Sequence, residues 1–288
     1  MIGSLTRCLA VALPLLVASR AVAEPETVTF KSADGETEIV AYLFTPATPG
    51  PHGAVVMLHG RAGPYSANVN RDCALVSRDT PSICNAGTLS KRHVMWGEYW
   101  AARGYLALLP DSFGPRGKAH GFGRFTHDDP DRDDVNEKTV RPLDAEGALV
   151  YLRARNDVTP SRIFLQGWSN GGSTTLNVMI RQGQRSGFRA ALAFYPGCGR
   201  EALLKPVVTT AAPIAMFLGS DDEEVSPAIC QHVADRSREA GTTIDVTLYQ
   251  GATHDFDDPG EKRQSVPDNA AAKADAMQRA IAVVEGMR

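Results

Sequence analysis

Short apolar runs recur along the chain, and stretches of helical composition lie between most of them. The runs are Gly53–Leu58, Tyr105–Leu109, Arg162–Gln166, Ala190–Phe194, Pro213–Leu218 and Ile244–Tyr249. Near-continuous apolar runs of this length are typical of parallel strands that are buried on both faces. The helical stretches lie near 89–103, 140–155, 171–184, 227–240 and 268–287. This alternation predicts an α/β fold with a mostly parallel central sheet and helices on both faces.

Two further patterns predict local structure: a turn signal before the first of these runs, and a helical apolar pattern in the second helical stretch. Residues 26–44 contain two strand-like stretches joined at Asp34-Gly35, a turn signal. In the helix near 140–155, apolar or small residues recur at helical spacing and predict one buried face. They are Leu143, Gly147, Val150 and Tyr151.

The first 23 residues differ in composition from the rest of the chain. Arg7 precedes an apolar core of 12 residues, and the Ala-Val-Ala at 21–23 supplies a small-x-small cleavage site. Because Arg20 ends this run short of the roughly 20 residues that a membrane span needs, we expect a removed secretory signal. An uncleaved anchor is the alternative. The mature chain would then be 24–288, a single domain with a net charge of −3 − 2 = −5 after loss of both arginines.

Export would place the cysteines in an oxidising compartment, either the periplasm or the medium. The four that remain in the mature chain predict two disulfides. Cys73 and Cys84 lie in one loop-like stretch, which favours their pairing and leaves Cys198 with Cys230. Four cysteines allow three connectivities, and buried free thiols are a further alternative. No Cys-x-x-Cys pair occurs, so a zinc site is not expected.

Composition and loop lengths narrow the choice of ligand. The chain has 288 residues, 43% of them hydrophobic, a formal charge of −3 and no basic block that would favour nucleic acid. Two long insertions, 61–88 and 112–139, follow strands whose carboxyl ends should form the ligand-binding edge of the sheet. We expect both to line a pocket for a small-molecule substrate. The acidic run 128–134 lacks the glycine and final glutamate of a calcium loop, which favours a solvated loop.

The stretch FLQGWSNGGS places Ser169 between two glycines, directly after an apolar run. It matches the Gly-x-Ser-x-Gly elbow, in which a nucleophile lies on a sharp strand-to-helix turn. A tight turn without chemistry would carry the same residues. Because a serine hydroxyl is a poor nucleophile at neutral pH, it needs a base within hydrogen-bond reach and a group that orients that base.

Both partners are available later in the chain, in the order serine, acid, histidine that the elbow requires. His254 follows the last apolar strand, where a base belongs, whereas His232 lies inside a predicted helix. For the acid, the spacing Gly-x-x-Asp-x-x-Val after the run Pro213–Leu218 selects Asp222, with Asp221 as the alternative. The acid is expected to fix the imidazole tautomer and to stabilise the imidazolium.

An oxyanion that forms on the substrate needs hydrogen-bond donors. Leu58-His59-Gly60 closes the first core strand and resembles the loop that supplies one backbone N–H, here that of Arg61. The second donor of this oxyanion hole is expected from Asn170, directly after the nucleophile. This assignment leaves the Arg61 side chain for an anionic substrate group.

Several blocks of sequence resemble the dienelactone hydrolase family of α/β-hydrolases, in that family's order. They are VVMLHGRAG, LLPDSFGPRG, RPLDAEGALVYL, GWSNGGS, AFYPGC, GSDDEEVSP and GATHDFD. The resemblance spans nearly all of 24–288 and implies an α/β-hydrolase domain. Such a domain would cleave carboxylic esters or lactones without a metal or organic cofactor. Residue by residue, the resemblance places Ser169 at the nucleophile, His254 at the base and Asp222 at the acid.

The elbow residue is also the main departure from this family. The namesake enzymes carry a cysteine there, and a glutamate that interacts with its resting thiol. This chain has Ser169, no clear counterpart of that glutamate, and Arg61 in the corresponding loop. The departure favours a general ester over dienelactone as substrate. The alternatives are a polyester or peptide hydrolase with the same residues, and a non-catalytic binding protein on a hydrolase scaffold. Oligomeric state stays open.

Overall fold

A computed structural model describes residues 24–69, 72–123 and 130–287. Within these residues one eight-stranded sheet has the order β1-β2-β4-β3-β5-β6-β7-β8. Strands β3 to β8 pair in parallel, whereas β2 pairs antiparallel with both β1 and β4. The strands are β1 (Glu26–Lys31), β2 (Glu38–Phe44), β3 (His52–Leu58), β4 (Tyr105–Asp111), β5 (Val158–Trp168), β6 (Ala191–Phe194), β7 (Ile214–Gly219) and β8 (Ile244–Tyr249).

Helices follow most of the strands, as the sequence alternation predicts. They are α1 (Lys91–Ala101), α2 (Pro130–Asp133), α3 (Arg141–Arg153), α4 (Asn170–Gln182), α5 (Pro227–Glu239), α6 (Glu261–Gln264) and α7 (Pro267–Glu285). The predicted α/β class with a mostly parallel sheet is confirmed.

The core is divided between the two faces of the sheet. Every residue of β3 is buried. Its alternate side chains enter two hydrophobic clusters, with Val56 in the cluster that includes α3, α4 and α5, and Val55 in the cluster that includes α1 and α7. Burial on both faces explains why the central strands read as unbroken apolar runs.

The predicted buried face of α3 is wrong at one position. Val150 is 66% exposed, whereas the core side chains of this helix are Ala145, Ala148, Leu149 and Leu152. Apolar residues lie on more than one side of α3, so periodicity alone does not select the sheet-facing side. Gly147 is buried, and a side chain has no room there because a Cβ would lie 2.4 Å from the carbonyl oxygen of Lys31.

Two disulfides are present in the structure. Cys73 is bonded to Cys84 within the first insertion, and Cys198 is bonded to Cys230, which ties the loop after β6 to α5. The secretory signal predicted for 1–23 lies outside the described residues. None of the helices described is both long and apolar enough for a membrane span.

Candidate active site

Ser169 lies on the turn between β5 and α4, with a φ of 52°. A non-glycine residue at positive φ is strained, as expected for a nucleophile elbow. Close packing excludes side chains on both flanking glycines. A Cβ on Gly167 would lie 2.2 Å from the carbonyl oxygen of Gly171, and a Cβ on Gly171 would lie 2.0 Å from that of Leu58. The elbow therefore holds Ser169 at the carboxyl edge of the sheet.

A continuous chain of hydrogen bonds joins Ser169, His254 and Asp222. His254 Nδ1 lies 2.8 Å from Asp222 Oδ2, and His254 Nε2 lies 3.0 Å from Ser169 Oγ. The side chains of His254 and Asp222 are 2% and 1% exposed. When Nδ1 donates its proton to the carboxylate, Nε2 of the neutral ring is left to accept from the serine hydroxyl. The structure thus brings the three predicted residues together.

The loop after β7 fixes both the acid and the backbone of the base. Asp222 Oδ1 accepts two backbone N–H groups of its own loop at 2.8 and 2.9 Å, which leaves Oδ2 for His254. Glu223 accepts the His254 backbone N–H at 2.9 Å. Asp221 is exposed, and its carboxylate accepts the Ser220 hydroxyl. Asp222, and not Asp221, is the acid in contact with the imidazole.

Carboxylates surround the His254 ring. Burial alone would lower the pKa of His254. The hydrogen bond to Asp222 and the negative charges of Asp255 and Glu224 offset this effect and raise the pKa above its ordinary value. Glu224 Oε2 lies 3.7 Å from His254 Nε2, on the same nitrogen that faces Ser169. The site therefore favours a positively charged imidazole more than water does.

The loop after β3 brings Arg61 to the elbow. The backbone N–H groups of Arg61 and Asn170 donate no hydrogen bond to any residue that the structure describes. The Arg61 side chain is not free for an anionic substrate group, because its Nε and Nη2 each lie 3.4 Å from the carboxylate of Glu224. The expectation of an anion-binding Arg61 side chain is corrected by this ion pair.

A cavity of about 240 Å³ adjoins Ser169 and His254. Its aliphatic side chains are only those of Ala62 and Ala67 within the described lining. Its charged side chains are Arg61, Arg92, Glu224, Asp255 and Asp258. The described lining therefore combines several charged groups with the rings of Tyr65 and His93 and has no large aliphatic side chain.

The two insertions contribute differently to this cavity. The first supplies five residues of the lining, as predicted: Arg61, Ala62, Gly63, Tyr65 and Ala67. The second supplies none of its described residues, and for these the prediction is wrong. Instead, Phe122 N–H donates to the Arg61 carbonyl oxygen at 3.2 Å. The second insertion therefore contacts the backbone of the first.

His120 of the second insertion also contacts the disulfide of the first. Its Nε2 lies 3.1 Å from Cys73 Sγ, and the ligand atoms of His120, Cys73 and Cys84 lie within 4.8 Å of one another. A metal would require free thiolates. In this structure both sulfur atoms are joined in the disulfide, so the cluster connects the two insertions.

A buried carboxylate that the sequence analysis missed holds the His254 loop. Asp257 is 0% exposed, and its Oδ2 accepts the indole N–H groups of Trp96 and Trp168 at 2.7 and 2.8 Å. Its Oδ1 accepts the hydroxyl of Tyr195. Asp257 thereby connects α1, the strand before the elbow and the end of β6. Only the Asp-rich sequence after His254 signals it, and that sequence does not identify the partners.

Arg92 of α1 is a second residue that the sequence analysis missed. Its guanidinium contacts Asp255 at 2.8 Å, Asp258 at 3.2 Å and Asp257 at 3.6 Å. One cation is thus shared by three carboxylates of the loop that carries His254. The His254 loop is tied to α1 but retains an excess of negative charge.

Comparison with solved structures supports the fold. The dienelactone hydrolase-like promiscuous phosphotriesterase P91 from metagenomic libraries is 18% identical, with a TM-score of 0.65 over 92% of this chain and 99% of that chain. A thermophilic esterase from Thermogutta terrifontis is 19% identical, with a TM-score of 0.61 over 92% and 95%. Dipeptidyl peptidase 4 of Porphyromonas gingivalis is 20% identical, with a TM-score of 0.58 over 86% of this chain and 35% of that chain. At these identities the likeness shows the fold alone.

Comparison with protein-family models assigns the chain to a family, which the likeness in fold does not. The model of the dienelactone hydrolase family matches residues 87–287, a range that contains Ser169, Asp222 and His254. The match covers well over half of the chain and confirms the resemblance carried by its sequence blocks. This protein is a hydrolase, and it belongs to the dienelactone hydrolase family.

Proposed function

We propose that this hydrolase cleaves carboxylic esters, including lactones, with Ser169 as nucleophile. The observation that carries the proposal is the unbroken hydrogen-bond chain from Ser169 Oγ through the imidazole of His254 to Asp222. The strained elbow and the adjoining cavity support it. A serine with a base and an orienting acid in this order is the arrangement required for acyl transfer.

The reaction would proceed in two halves. In the first, Ser169 Oγ attacks the ester carbonyl carbon, and its proton passes to His254 Nε2. The bond to the alcohol oxygen then breaks, and that oxygen takes the proton from Nε2. In the second half, His254 removes a proton from water, the hydroxide attacks the acyl-enzyme, and the carboxylic acid leaves as Ser169 regains its proton. Asp222 would hold the tautomer and stabilise the imidazolium throughout.

The backbone N–H groups of Arg61 and Asn170 would bind the oxyanion. Both groups have no partner among the described residues, and they flank the elbow from two different loops. Asn170 is also the first residue of α4, so the positive end of the helix dipole adds to its effect. Removal of one such donor costs about 3–4 kcal/mol in related chemistry.

Cavity size and polarity set the expected substrate. A cavity of about 240 Å³ whose aliphatic lining is limited to alanine side chains offers little apolar surface to a long acyl chain. Short acyl groups should therefore be cleaved better than long ones. The charged groups of the lining and its lack of large aliphatic side chains favour small esters over polyester chains or apolar lipids.

We also propose that the protein acts outside the cytoplasm, with 1–23 as a removed signal and 24–288 as the mature domain. The two disulfides are consistent with this location. N-terminal sequencing of the protein recovered from an exporting host would test the cleavage. A mature chain that begins elsewhere than Glu24 would correct the boundary.

The esterase proposal is tested with purified protein obtained by export of the full chain. Hydrolysis of p-nitrophenyl acetate, butyrate and octanoate is followed for wild type, Ser169→Ala and Ser265→Ala. Ser265 is a matched control, because it lies between α6 and α7 and its hydroxyl donates to Lys262 O at 2.9 Å. We expect Ser169→Ala to lose at least about 10⁴-fold in kcat, as in related enzymes, and the control to match wild type.

Labelling with a fluorophosphonate separates the remaining explanations. Modification of Ser169, located by peptide mass spectrometry, would support a nucleophile even if the three esters are poor substrates. Equal ester turnover in wild type and Ser169→Ala would exclude Ser169 as the nucleophile. A folded wild type with neither turnover nor labelling would indicate a binding protein on a hydrolase scaffold.

A further inference from the structure

A guanidinium that takes no part in the hydrogen-bond chain of Ser169, His254 and Asp222 lies next to the elbow. Arg141 is the first residue of α3, and it is 0% exposed. Its Nη2 donates to the carbonyl oxygen of His59 at 2.7 Å, and its Nη1 donates to Asn170 Oδ1. The guanidinium also lies over the Phe113 ring, 4.9 Å from its centroid. Its two hydrogen-bond acceptors are uncharged.

These two acceptors belong to the two segments that carry the proposed oxyanion donors. His59 lies two residues before Arg61 in the loop after β3, and Asn170 directly follows Ser169. The loop and the elbow are far apart in sequence. Arg141 is the side chain that joins them, across 82 residues to His59 and 29 residues to Asn170.

The positive charge of Arg141 has no carboxylate within salt-bridge distance in the described part of the chain. Asp144 is bound by Arg116 through two contacts of 2.9 Å. Asp111 accepts the Tyr65 hydroxyl and two backbone N–H groups. Burial lowers the pKa of Arg141 to about 10, so it remains charged at neutral pH.

Such a charge is costly for the fold. A buried cation that is not directly paired with a carboxylate loses hydration that neutral acceptors replace only in part. Its place at the N-terminus of α3 adds repulsion from the helix dipole. Burial and this neighbouring cation together lower the pKa of His59 well below its ordinary value, so His59 is neutral. The charges of Asp144, Glu137 and Asp111 raise the pKa of Arg141 from beyond salt-bridge distance, but they do not outweigh the effect of burial. The cost of burying this cation is therefore offset only in part.

We propose that Arg141 is a positioning residue of the oxyanion hole. It would hold the loop of Arg61 and the first turn of α4 at a fixed separation, so that both backbone N–H groups point at one oxygen. Its unpaired charge would also act on the negative charge that develops on that oxygen in the transition state. The inference rests on the proposed esterase function, because an oxyanion forms only in acyl transfer.

A role limited to stability predicts different kinetics. If Arg141 served stability alone, loss of its hydrogen bonds would lower the melting temperature and the amount of active enzyme, but not the activity of each folded molecule. Loss of oxyanion stabilisation lowers kcat with little change in KM. It also weakens a tetrahedral transition-state analogue, such as a trifluoromethyl ketone, by the same factor as kcat/KM.

The test compares Arg141→Met and Arg141→Lys with wild type and with Arg153→Met. Arg153 is a matched control, because it ends the same helix and donates one hydrogen bond to Gly187 O at 3.1 Å. The active-site concentration is first set by fluorophosphonate titration. Then kcat and KM for p-nitrophenyl acetate, the Ki of the trifluoromethyl ketone and the melting temperature are measured for each protein.

We expect Arg141→Met to lose about 100-fold in kcat, with KM changed less than about threefold and the Ki raised in parallel with the loss in kcat/KM. Arg141→Lys should recover part of this loss, because the ammonium keeps the charge but cannot reach both acceptors. Arg153→Met should match wild type per active site. Should Arg141→Met fail to fold, Asn170→Ala removes one acceptor and keeps the backbone N–H, with an expected loss of about tenfold in analogue affinity.

Two results would overturn the role proposed for Arg141 and leave the esterase function intact. One is an active wild type whose Arg141 variants keep wild-type kcat and Ki per active site. The other is a lower melting temperature in the variants with an unchanged Ki. A wild type without Ser169-dependent turnover would overturn the esterase function and this inference together.

Discussion

The candidate site has a base side, formed by the loop that carries His254, and an oxyanion side, formed by the loop of Arg61 and the first turn of α4. Buried side chains of opposite charge hold these two sides in place. On the base side, Asp257 is a buried anion that accepts three side-chain hydrogen bonds and also contacts Arg92. On the oxyanion side, Arg141 is a buried cation that donates to two neutral oxygens. Both residues connect segments that are distant in sequence, and neither touches the cavity.

This difference matches the charge that acyl transfer creates. In the proposed transition state His254 becomes an imidazolium and the substrate carbonyl oxygen becomes an anion. Carboxylates of Asp222, Asp255 and Glu224 face the former, and Arg141 lies behind the donors for the latter. Fixed charges that already point at the developing charges need no reorganisation during the reaction. The fold thus places its costly buried charges where the proposed reaction would use them.

The largest effect that tests the base side is expected from Asp222→Asn. The amide would remove the negative charge and present a donor or a weaker acceptor to His254 Nδ1, which disfavours the productive tautomer. We expect kcat to fall by about 10⁴-fold, with little loss of stability. Ester hydrolysis and thermal unfolding of the purified variant provide the measurements. Asp221→Asn is the matched control, since its exposed carboxylate contacts Ser220 instead. A larger loss in Asp221→Asn than in Asp222→Asn would reverse the assignment.

The members of the site that could be predicted from the sequence are those fixed by local rules. Gly167 and Gly171 are required by close packing around Ser169, and a strand end precedes both His254 and Asp222. These rules act over a few residues, so a motif shows them. The same locality explains the prediction of the strands and of most helices.

Long-range contacts set the part that could not be predicted. Asp257 meets Trp96 across 161 residues, and Arg141 meets His59 across 82 residues. A lone Asp or Arg in a sequence is normally solvated, so its type carries no signal of burial. The wrong prediction of a buried Val150 has a related cause. Which side of α3 faces the sheet depends on the segments that pack against the helix, and the apolar periodicity of the helix does not identify that side.

A smaller effect on the base side is expected from Asp257→Asn. The amide keeps one acceptor oxygen but loses the charge, so at least one of the three hydrogen-bond donors, Trp96, Trp168 and Tyr195, loses a satisfactory partner. We expect a stability loss of about 1–3 kcal/mol and a fall in kcat of about tenfold, because the His254 loop shifts relative to Ser169. Urea unfolding and steady-state kinetics measure the two effects. Asp258→Asn, in the same loop but partly exposed, should cost less in both. An Asp257→Asn protein with full kcat would show that the loop is positioned by other contacts.

The smallest effect is expected in the pH profile of Glu224→Gln. The proposed reaction needs neutral His254, so kcat/KM should fall as the pH drops through the pKa of this residue. Because the pKa of His254 is raised despite burial, by the bond to Asp222 and by nearby carboxylates, this fall should begin at a higher pH than for an ordinary histidine. Removal of the Glu224 charge, 3.7 Å from Nε2, lowers the pKa, and the released Arg61 cation acts in the same direction.

The acid limb of Glu224→Gln should therefore lie at lower pH than that of wild type. On that limb the variant should retain roughly threefold more of its plateau activity. Profiles of kcat/KM between pH 4 and 9 measure it, at constant ionic strength because screening would reduce the difference. Glu239→Gln, at the exposed end of α5, is the control for a general change in net charge. The other titratable or charged groups near His254, which include Asp222, Glu223, Asp255, Arg61, Arg92 and Tyr195, are not substituted in either protein. An acid limb that moves to higher pH in Glu224→Gln would mean that the charge of this carboxylate does not raise the pKa of the imidazole. Asp222 and Asp255 would then be the carboxylates that stabilise the imidazolium.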